Sequence, residues 1–225
     1  MEKKNIARFP RPVYNRIPNF VGAEKAAIKL KSMFCYRKAN VLKIDPDSPQ
    51  RAVREIALIN DKKVVMPVPR LKSNQGFLML DPAILEMREC KRVSTIKGAF
   101  QLGKNIHPRD LPKIDLIICG AVAVSDNGMR IGKGSGYGEF EFAILREFNK
   151  VDENTPVIAI VHDIQLISEE LIPESYDLTV NYIVTPTRVI KTKNPFSKPK
   201  GLIWEKISKD RLREIPLLQE LKRLS

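Results

Sequence analysis

Histidine is almost missing from this chain: only His107 and His162 occur among 225 residues. A metal centre built on several imidazoles is thereby excluded. Cysteine is nearly as scarce. Cys35, Cys90 and Cys119 are odd in number and show no C-x-x-C spacing. That excludes a disulfide scaffold and a zinc ribbon, and makes a reducing cytoplasm the expected compartment. Apolar runs such as Leu116–Cys119 and Val157–Val161 are short, far below the roughly 18 residues of a membrane span. The N-terminus, Met1-Glu-Lys-Lys, leads into no hydrophobic stretch, so no secretory signal is read. No internal repeat and no low-complexity tract is visible. Serines 125 and 135 have no evident base beside them, which argues against a nucleophilic triad.

What the chain has is positive charge at its two ends. The net charge is +13, with 11 Lys/Arg against 2 Asp/Glu in residues 1–43 and 11 against 4 in residues 186–225. The middle of the chain is slightly acidic. Basic ends fit a polyanionic partner, either RNA or a phosphorylated small molecule, and equally fit a solvated lysine-rich surface. A hydrophobic share of 43% is enough for one sizeable core.

Along the chain, residues 1–20 form a Pro/Arg-rich arm in which Pro10, Pro12 and Pro18 forbid a regular helix. Helical periodicity covers 22–36, and a second helix is expected from Gln50 to Ile59. Strands are expected at Asn40–Ile44, Lys63–Pro67, Asp115–Val124, Thr155–Val161 and Leu178–Thr185. A short helix is expected at Pro82–Arg88 and a helical turn at Ser168–Leu171. Strands alternating with helices predict an α/β fold: a three-layer α/β/α sandwich around a mostly parallel sheet. The α/β domain is placed at 21–190. After Arg188 the Lys/Pro-rich chain is expected to lie loosely on the surface as far as Lys200. A basic amphipathic helix over 208–224, interrupted at Pro216, ends a tail spanning 191–225.

One stretch carries most of the chemical information: Arg130-Ile-Gly-Lys-Gly-Ser-Gly-Tyr-Gly-Glu139. Glycines alternate at 132, 134, 136 and 138, after an apolar strand and before a helix from Glu139 to Asn149. Such a loop lets backbone N–H groups approach a phosphate, and the helix N-terminus adds partial positive charge. The spacing fits neither G-x-G-x-x-G nor G-x-x-x-x-G-K-[ST]. Lys133 offers a point charge inside the loop and Arg130 a bidentate one. Glu139 and Asp177 are the magnesium candidates, a hard cation that binds through carboxylates, phosphate and water. Glu139 would equally serve as a helix N-terminal acid, and Asp177 as a turn residue. Tyr137 can stack on a ring or simply pack in the loop. His162-Asp163 reads as a packed histidine beside a turn-capping carboxylate, since neighbours on a strand point apart.

The loop and its surroundings resemble the 5-formyltetrahydrofolate cyclo-ligases (5,10-methenyltetrahydrofolate synthetases). Their signature is a strand, a turn, then Arg-Leu-Gly-Arg-Gly-x-Gly-Tyr-Tyr-Asp. The segments that carry the likeness to the methenyltetrahydrofolate synthetase domain-containing branch include Phe9–Val13, Arg16–Phe20, Asp45–Asp47, Pro67–Leu71, Val122–Ser125, Ile131–Gly134, Ile160–Asp163 and Thr185–Ile190. Animal members of that branch carry an added RNA-recognition domain, which this sequence does not contain. The resemblance implies a NagB/RpiA/CoA-transferase-like sandwich. It also implies an ATP- and Mg²⁺-dependent ligase of one-carbon metabolism that closes 5-formyltetrahydrofolate, or a related formyl pterin, to the 5,10-methenyl form. Carried over by position, Arg130, Gly132, Lys133, Gly134, Ser135, Gly136 and Tyr137 would hold ATP, with Arg130 and Lys133 catalytic. Tyr137 and Asp47 would meet the substrate, and Glu139 and Asp177 the metal. The chain departs from the pattern at Gly138, where the family has a second tyrosine, and at Glu139, one methylene longer than the family's Asp. Lys4 and Arg8 have the spacing of the family's N-terminal Lys-x-x-x-Arg, but the eight residues before Phe9 are not expected to form the same helix. A non-catalytic nucleotide or RNA binder on the same fold is the alternative reading.

Overall fold

The structure is a computed structural model describing residues 1–193 and 195–224. A single eight-stranded sheet runs through it. Its strands in chain order are β1 (Val41–Ile44), β2 (Lys63–Pro67), β3 (Phe77–Leu80), β4 (Lys104–Ile106), β5 (Leu116–Cys119), β6 (Val157–Ile160), β7 (Tyr182–Val184) and β8 (Val189–Lys191). They lie in the order β8-β7-β6-β5-β1-β2-β3-β4. The central pairs β7–β6, β6–β5, β5–β1 and β1–β2 are parallel, and the flanking pairs are antiparallel.

Both faces are covered, and the strand sequences require it. Parallel strands buried on two sides read as continuous apolar runs rather than alternating ones. Leu42, Ile44, Leu116, Ile118, Ile158 and Ile160 pack on one face, against α1 (Ala23–Leu30), α2 (Arg51–Ile59) and the region of α3 (Ile96–Leu102). Ile117, Cys119, Val157 and Ala159 pack on the other, against Phe142, Ile144 and Leu145 of α4 (Tyr137–Glu147) and Leu217, Leu218 and Leu221 of α6 (Pro216–Leu224). Between α4 and α6 in sequence lies the short α5 (Lys209–Glu214). The result is the expected three-layer α/β/α sandwich.

Several elements differ from the sequence expectation, each for a local reason. The run 115–124 is not one strand. β5 ends at Cys119, and Ala123–Ser125 joins a separate three-stranded sheet with Arg130–Ile131 and Leu166–Ile167. The break falls at Gly120, whose amide donates to Asp45 Oδ2 (3.3 Å) and whose missing side chain leaves room for Ile17 and Gln50. The helix read over 22–36 stops at Leu30 and restarts at Phe34. The Pro82–Arg88 segment forms two 3₁₀ turns. Ser168–Leu171 makes no helical turn; its neighbourhood is used as backbone acceptors, with Glu169 O taking Ser125 Oγ and Leu171 O taking Asn127 Nδ2. The stretch after Arg188 is not loose at its start, because β8 pairs antiparallel with β7. Further on, buried Lys198 donates from Nζ to Glu153 O (2.6 Å). The tail helix is split at Pro216, as its sequence requires.

The parallel strands β1, β5, β6 and β7 point their carboxyl ends to one edge. Asp45 and Asp47 follow β1, Gly120 follows β5, and the glycine loop runs from Arg130–Ile131 into α4 on that same rim. This is where an open α/β sheet binds its ligands.

Candidate active site

The glycine loop stands as a partition between two cavities. One, of about 370 Å³, lies toward the C-terminal segment and includes Phe140, Tyr176, Asp177, Leu202, Ile203 and Lys206. The other, of about 700 Å³, lies toward β1 and includes Asp45, Asp47, Arg70, Lys133, Glu141 and Arg211. Arg130, Gly132, Gly136 and Glu139 border both.

The loop's backbone is shaped for open space. Gly134 and Gly136 sit at φ of 83° and 68°, and nothing lies within 4 Å of where a side chain would begin at either. Gly136 is also the N-cap of α4 and has no side chain to satisfy the first-turn N–H groups. Those donors carry the positive end of an 11-residue helix toward the cavities.

The loop's two cations have different situations. Arg130 is buried and engaged: it forms an ion pair with Glu139 Oε1, and its Nε donates to Leu178 O (3.2 Å). Burial opposes its charge, but Glu139, with Cys119, Asp45 and Glu141 adding to it, holds the guanidinium above its ordinary range. Arg130 is thus a fixed post between the cavities rather than an unpaired phosphate clamp. Gly138 fits because of it: a Cβ there would lie 2.9 Å from Arg130 Nη2. Lys133 is half-exposed, its Nζ 3.4 Å from Asp47 Oδ1. Asp47 has its carboxyl raised by burial and by neighbouring Asp45, against the pull of Lys133.

The floor of the larger cavity holds a cluster that sequence reading missed. Lys43, buried in β1, bridges Asp45 Oδ1 (2.5 Å) and Glu141 of α4. Burial disfavours the ammonium, yet the two carboxylates more than compensate and raise it. One cation cannot neutralise two acids. Burial and the adjacent Asp45 therefore lift Glu141 to about 7 despite Lys43. The signal was present in the sequence as a lysine inside Val41-Leu-Lys-Ile44 and an acid between Phe140 and Phe142. A charge in such a run needs a buried partner, but the partner lies 98 positions away.

Arg211 of α5 is the second missed residue. It donates to Ser135 O (2.8 Å) and Tyr137 OH (2.7 Å), pairs with Glu214 (2.7 Å), and stacks 4.6 Å from the Tyr137 ring centre. One face of Tyr137 and its hydroxyl are thereby occupied from within the chain, and the loop is pinned to the C-terminal segment. Nothing near Ser135 in sequence announces this contact.

Of the metal candidates, Glu139 and Asp177 border the same smaller cavity. Asp177 is raised first by burial, and its neighbour Glu139 adds to the rise. Asp177 Oδ2 accepts from the Glu174 amide (2.8 Å). No group of three metal-binding side chains occurs among the described residues. Two carboxylates on one cavity wall fit a magnesium ion that arrives with phosphate and water, and not an all-protein metal cage. His162 and Asp163 take no part in either cavity's floor. The His162 ring packs edge-on to Phe20, and Asp163 accepts from the Thr185 hydroxyl (2.8 Å) and that of Thr187. Among the described residues no helix is long and apolar enough to cross a membrane.

The sequence model of the 5-formyltetrahydrofolate cyclo-ligase family matches residues 3–186. The chain belongs to that family. It is 43% identical over its whole length to a methenyltetrahydrofolate synthase domain-containing protein of Danio rerio, and 40% identical over 99% of its length to the protein of that name from Mus musculus. The chain spans 59% and 60% of those two proteins. Among solved structures, it is similar to the Aquifex aeolicus 5,10-methenyltetrahydrofolate synthetase, at 20% identity and a TM-score of 0.49, over 78% of this chain and 84% of that one. Within the cyclo-ligase family, then, the glycine loop falls inside the matched region. Residues 201–214, which wall both cavities and hold the loop, fall outside it.

Proposed function

We propose that this chain is an ATP- and Mg²⁺-dependent cyclo-ligase that converts 5-formyltetrahydrofolate, or a related formyl pterin, to its 5,10-methenyl form. One observation carries the reading: a glycine loop opening an uncapped helix N-terminus stands between two cavities of unlike chemistry. Ring closure of this kind needs two substrates to meet across one phosphoryl group. ATP gives its γ-phosphoryl group to the formyl oxygen and leaves as ADP; N10 then bonds to the activated carbon and gives up its proton as phosphate leaves.

The chain's own residues have separable tasks. The amides of Gly132 to Tyr137 and the Lys133 ammonium receive the phosphates, where fixed donors stabilise the charge that develops in phosphoryl transfer. Among the described residues Lys133 has only the long contact to Asp47, so it can turn to the phosphates without stripping a tight pair. Arg130 holds Glu139 in place and adds positive potential from behind the loop. Glu139 and Asp177 would hold the magnesium, each through the oxygen left over from its contact within the chain. Asp47 and Asp45 form an acidic floor in the larger cavity. That floor suits a pterin, whose amino-pyrimidine edge carries hydrogen-bond donors, and repels a triphosphate.

The test is to mix the protein with MgATP and 5-formyltetrahydrofolate and follow the methenyl chromophore. Turnover is the expected outcome; none across several formyl pterins removes the reading. Lys133→Ala should weaken MgATP binding by about 1–3 kcal/mol, the scale of a charge-assisted contact. Calorimetry giving equal affinities would mean that the loop is only a turn.

A further inference from the structure

We infer that residues 201–207, outside the stretch 3–186 that the family model matches, form the binding wall for the nucleotide's base. This rests on the reading that the loop binds a nucleoside triphosphate, and it concerns where the rest of that nucleotide goes.

The two cavities are unequal candidates for it. The larger has Asp45, Asp47 and Glu141 on its floor, with Arg70, Lys133 and Arg211 around them, and does not include Asp177. The smaller contains both candidate metal carboxylates, so a metal-bound phosphate chain on the loop enters from that side. Beyond the loop its walls are apolar: Phe140 and Ala143 from α4, Tyr176, then Leu202, Ile203 and Ile207. At about 370 Å³ it takes a flat ring with part of a ribose and is too small for a whole nucleotide with its phosphates.

The wall is built in rather than draped over. Leu202 N donates to Glu147 Oε1 (2.8 Å) at the end of α4. Lys206 Nζ pairs with Glu174 (2.8 Å) and lies 5.0 Å above the Tyr176 ring. Arg211 then ties the following helix to Ser135 of the loop. The segment is thus tied on both sides of the cavity and again at the loop. Lys206 borders the cavity and brings a positive charge from a part of the chain that the family pattern does not cover.

The lining also says how the ring is recognised. Among the described residues it contains no Asn, Gln, Ser, Thr or His, and its one neutral hydrogen-bonding side chain is Tyr176, whose ring lies under Lys206. The charged side chains Arg130, Glu139, Asp177 and Lys206 leave the apolar wall to read a flat heterocycle by contact area, not by side-chain hydrogen bonds to its edge. ATP and GTP should therefore bind within about tenfold of each other, since stacking and apolar contact discriminate weakly.

The deciding experiment is calorimetric titration of the full chain, in magnesium, with ATP, GTP and inorganic tripolyphosphate. The wild-type protein should bind ATP at least tenfold more tightly than tripolyphosphate. In Ile203→Glu that gap should close, with tripolyphosphate affinity unchanged, which also reports an intact fold. Leu202→Ser serves as a milder second variant and should narrow the gap. A gap that survives both substitutions overturns the base wall and leaves the nucleotide reading standing. Discrimination of ATP from GTP beyond a hundredfold would overturn recognition by contact area. Failure of the wild-type protein to bind either ATP or tripolyphosphate would instead remove the nucleotide reading itself.

Discussion

The two cavities share a wall but differ in how their charges are settled. On the larger side, Asp45, Asp47 and Glu141 meet Lys43 and buried Arg54, with Lys133 reaching Asp47, and burial still leaves Glu141 with a raised affinity for its proton. On the smaller side, the acid that borders the loop is matched, since Glu139 faces Arg130 across a buried pair. A cavity floored by carboxyl groups, one of them holding its proton, offers acceptors to a donor-bearing guest. A cavity whose carboxylates are offset by a buried guanidinium and Lys206 tolerates a metal-bound anion. The loop separates two electrostatic environments as well as two spaces.

The most damaging way to break this division is to remove one half of the wall. Glu139→Ala leaves the Arg130 guanidinium buried without its carboxylate, and such changes cost about 3–5 kcal/mol. Urea unfolding should show the lower midpoint, and an unchanged midpoint would mean that the pair contributes no rigidity.

The acidic side can be sharpened through pH. Glu141 has a folded value near 7 against an ordinary value of 4.5, so the folded state holds a proton that the unfolded state releases. Its contribution to stability is therefore full below about pH 4.5 and is lost as pH rises toward 7 and beyond, by something on the order of 1–3 kcal/mol. Glu141→Gln should flatten that part of the stability profile between pH 5 and 8. A profile identical to that of the wild-type protein would show that Glu141 is ionised throughout.

The smallest effect concerns the strap that holds the wall upright. Arg211→Ala removes the donors to Ser135 O and Tyr137 OH from a partly exposed side chain. Amides between 133 and 138 should exchange faster, equivalent to about 1–2 kcal/mol of local opening, with global stability little changed. Unaltered exchange would mean that the loop is rigid without α5.

The legible parts of this molecule were those whose signal is local. The strand runs β1, β2 and β6 show their burial in consecutive apolar residues, and the alternating glycines lie together in sequence. Asp177 and Glu139 are read as a carboxylate pair from their places at a strand entry and a helix start, and the fold brings them to one cavity across 38 positions of chain. The antiparallel strands β3, β4 and β8 were missed because four or fewer residues, beside glycine or proline, carry too little periodicity to separate strand from loop. Lys43 with Glu141, and Arg211 with Ser135, were missed for a deeper reason. Each is a pair of ordinary residues that acquires meaning only when tertiary folding brings its members together. Arg130 and Glu139 stand nine positions apart and are read separately in the sequence, as a phosphate contact and a metal ligand, whereas the fold joins them in one ion pair.

Gly138 and Glu139 look like two separate departures from the family motif, and the geometry makes them one. Both act on the same guanidinium nitrogen: a side chain at 138 would run into Arg130 Nη2, and Glu139 binds it. Restoring tyrosine at 138 alone would displace the nitrogen that the acid holds. Restoring the shorter aspartate at 139 alone would withdraw the acid from its partner. The two positions are coupled through that one nitrogen, so the effect of a substitution at either depends on which residue stands at the other.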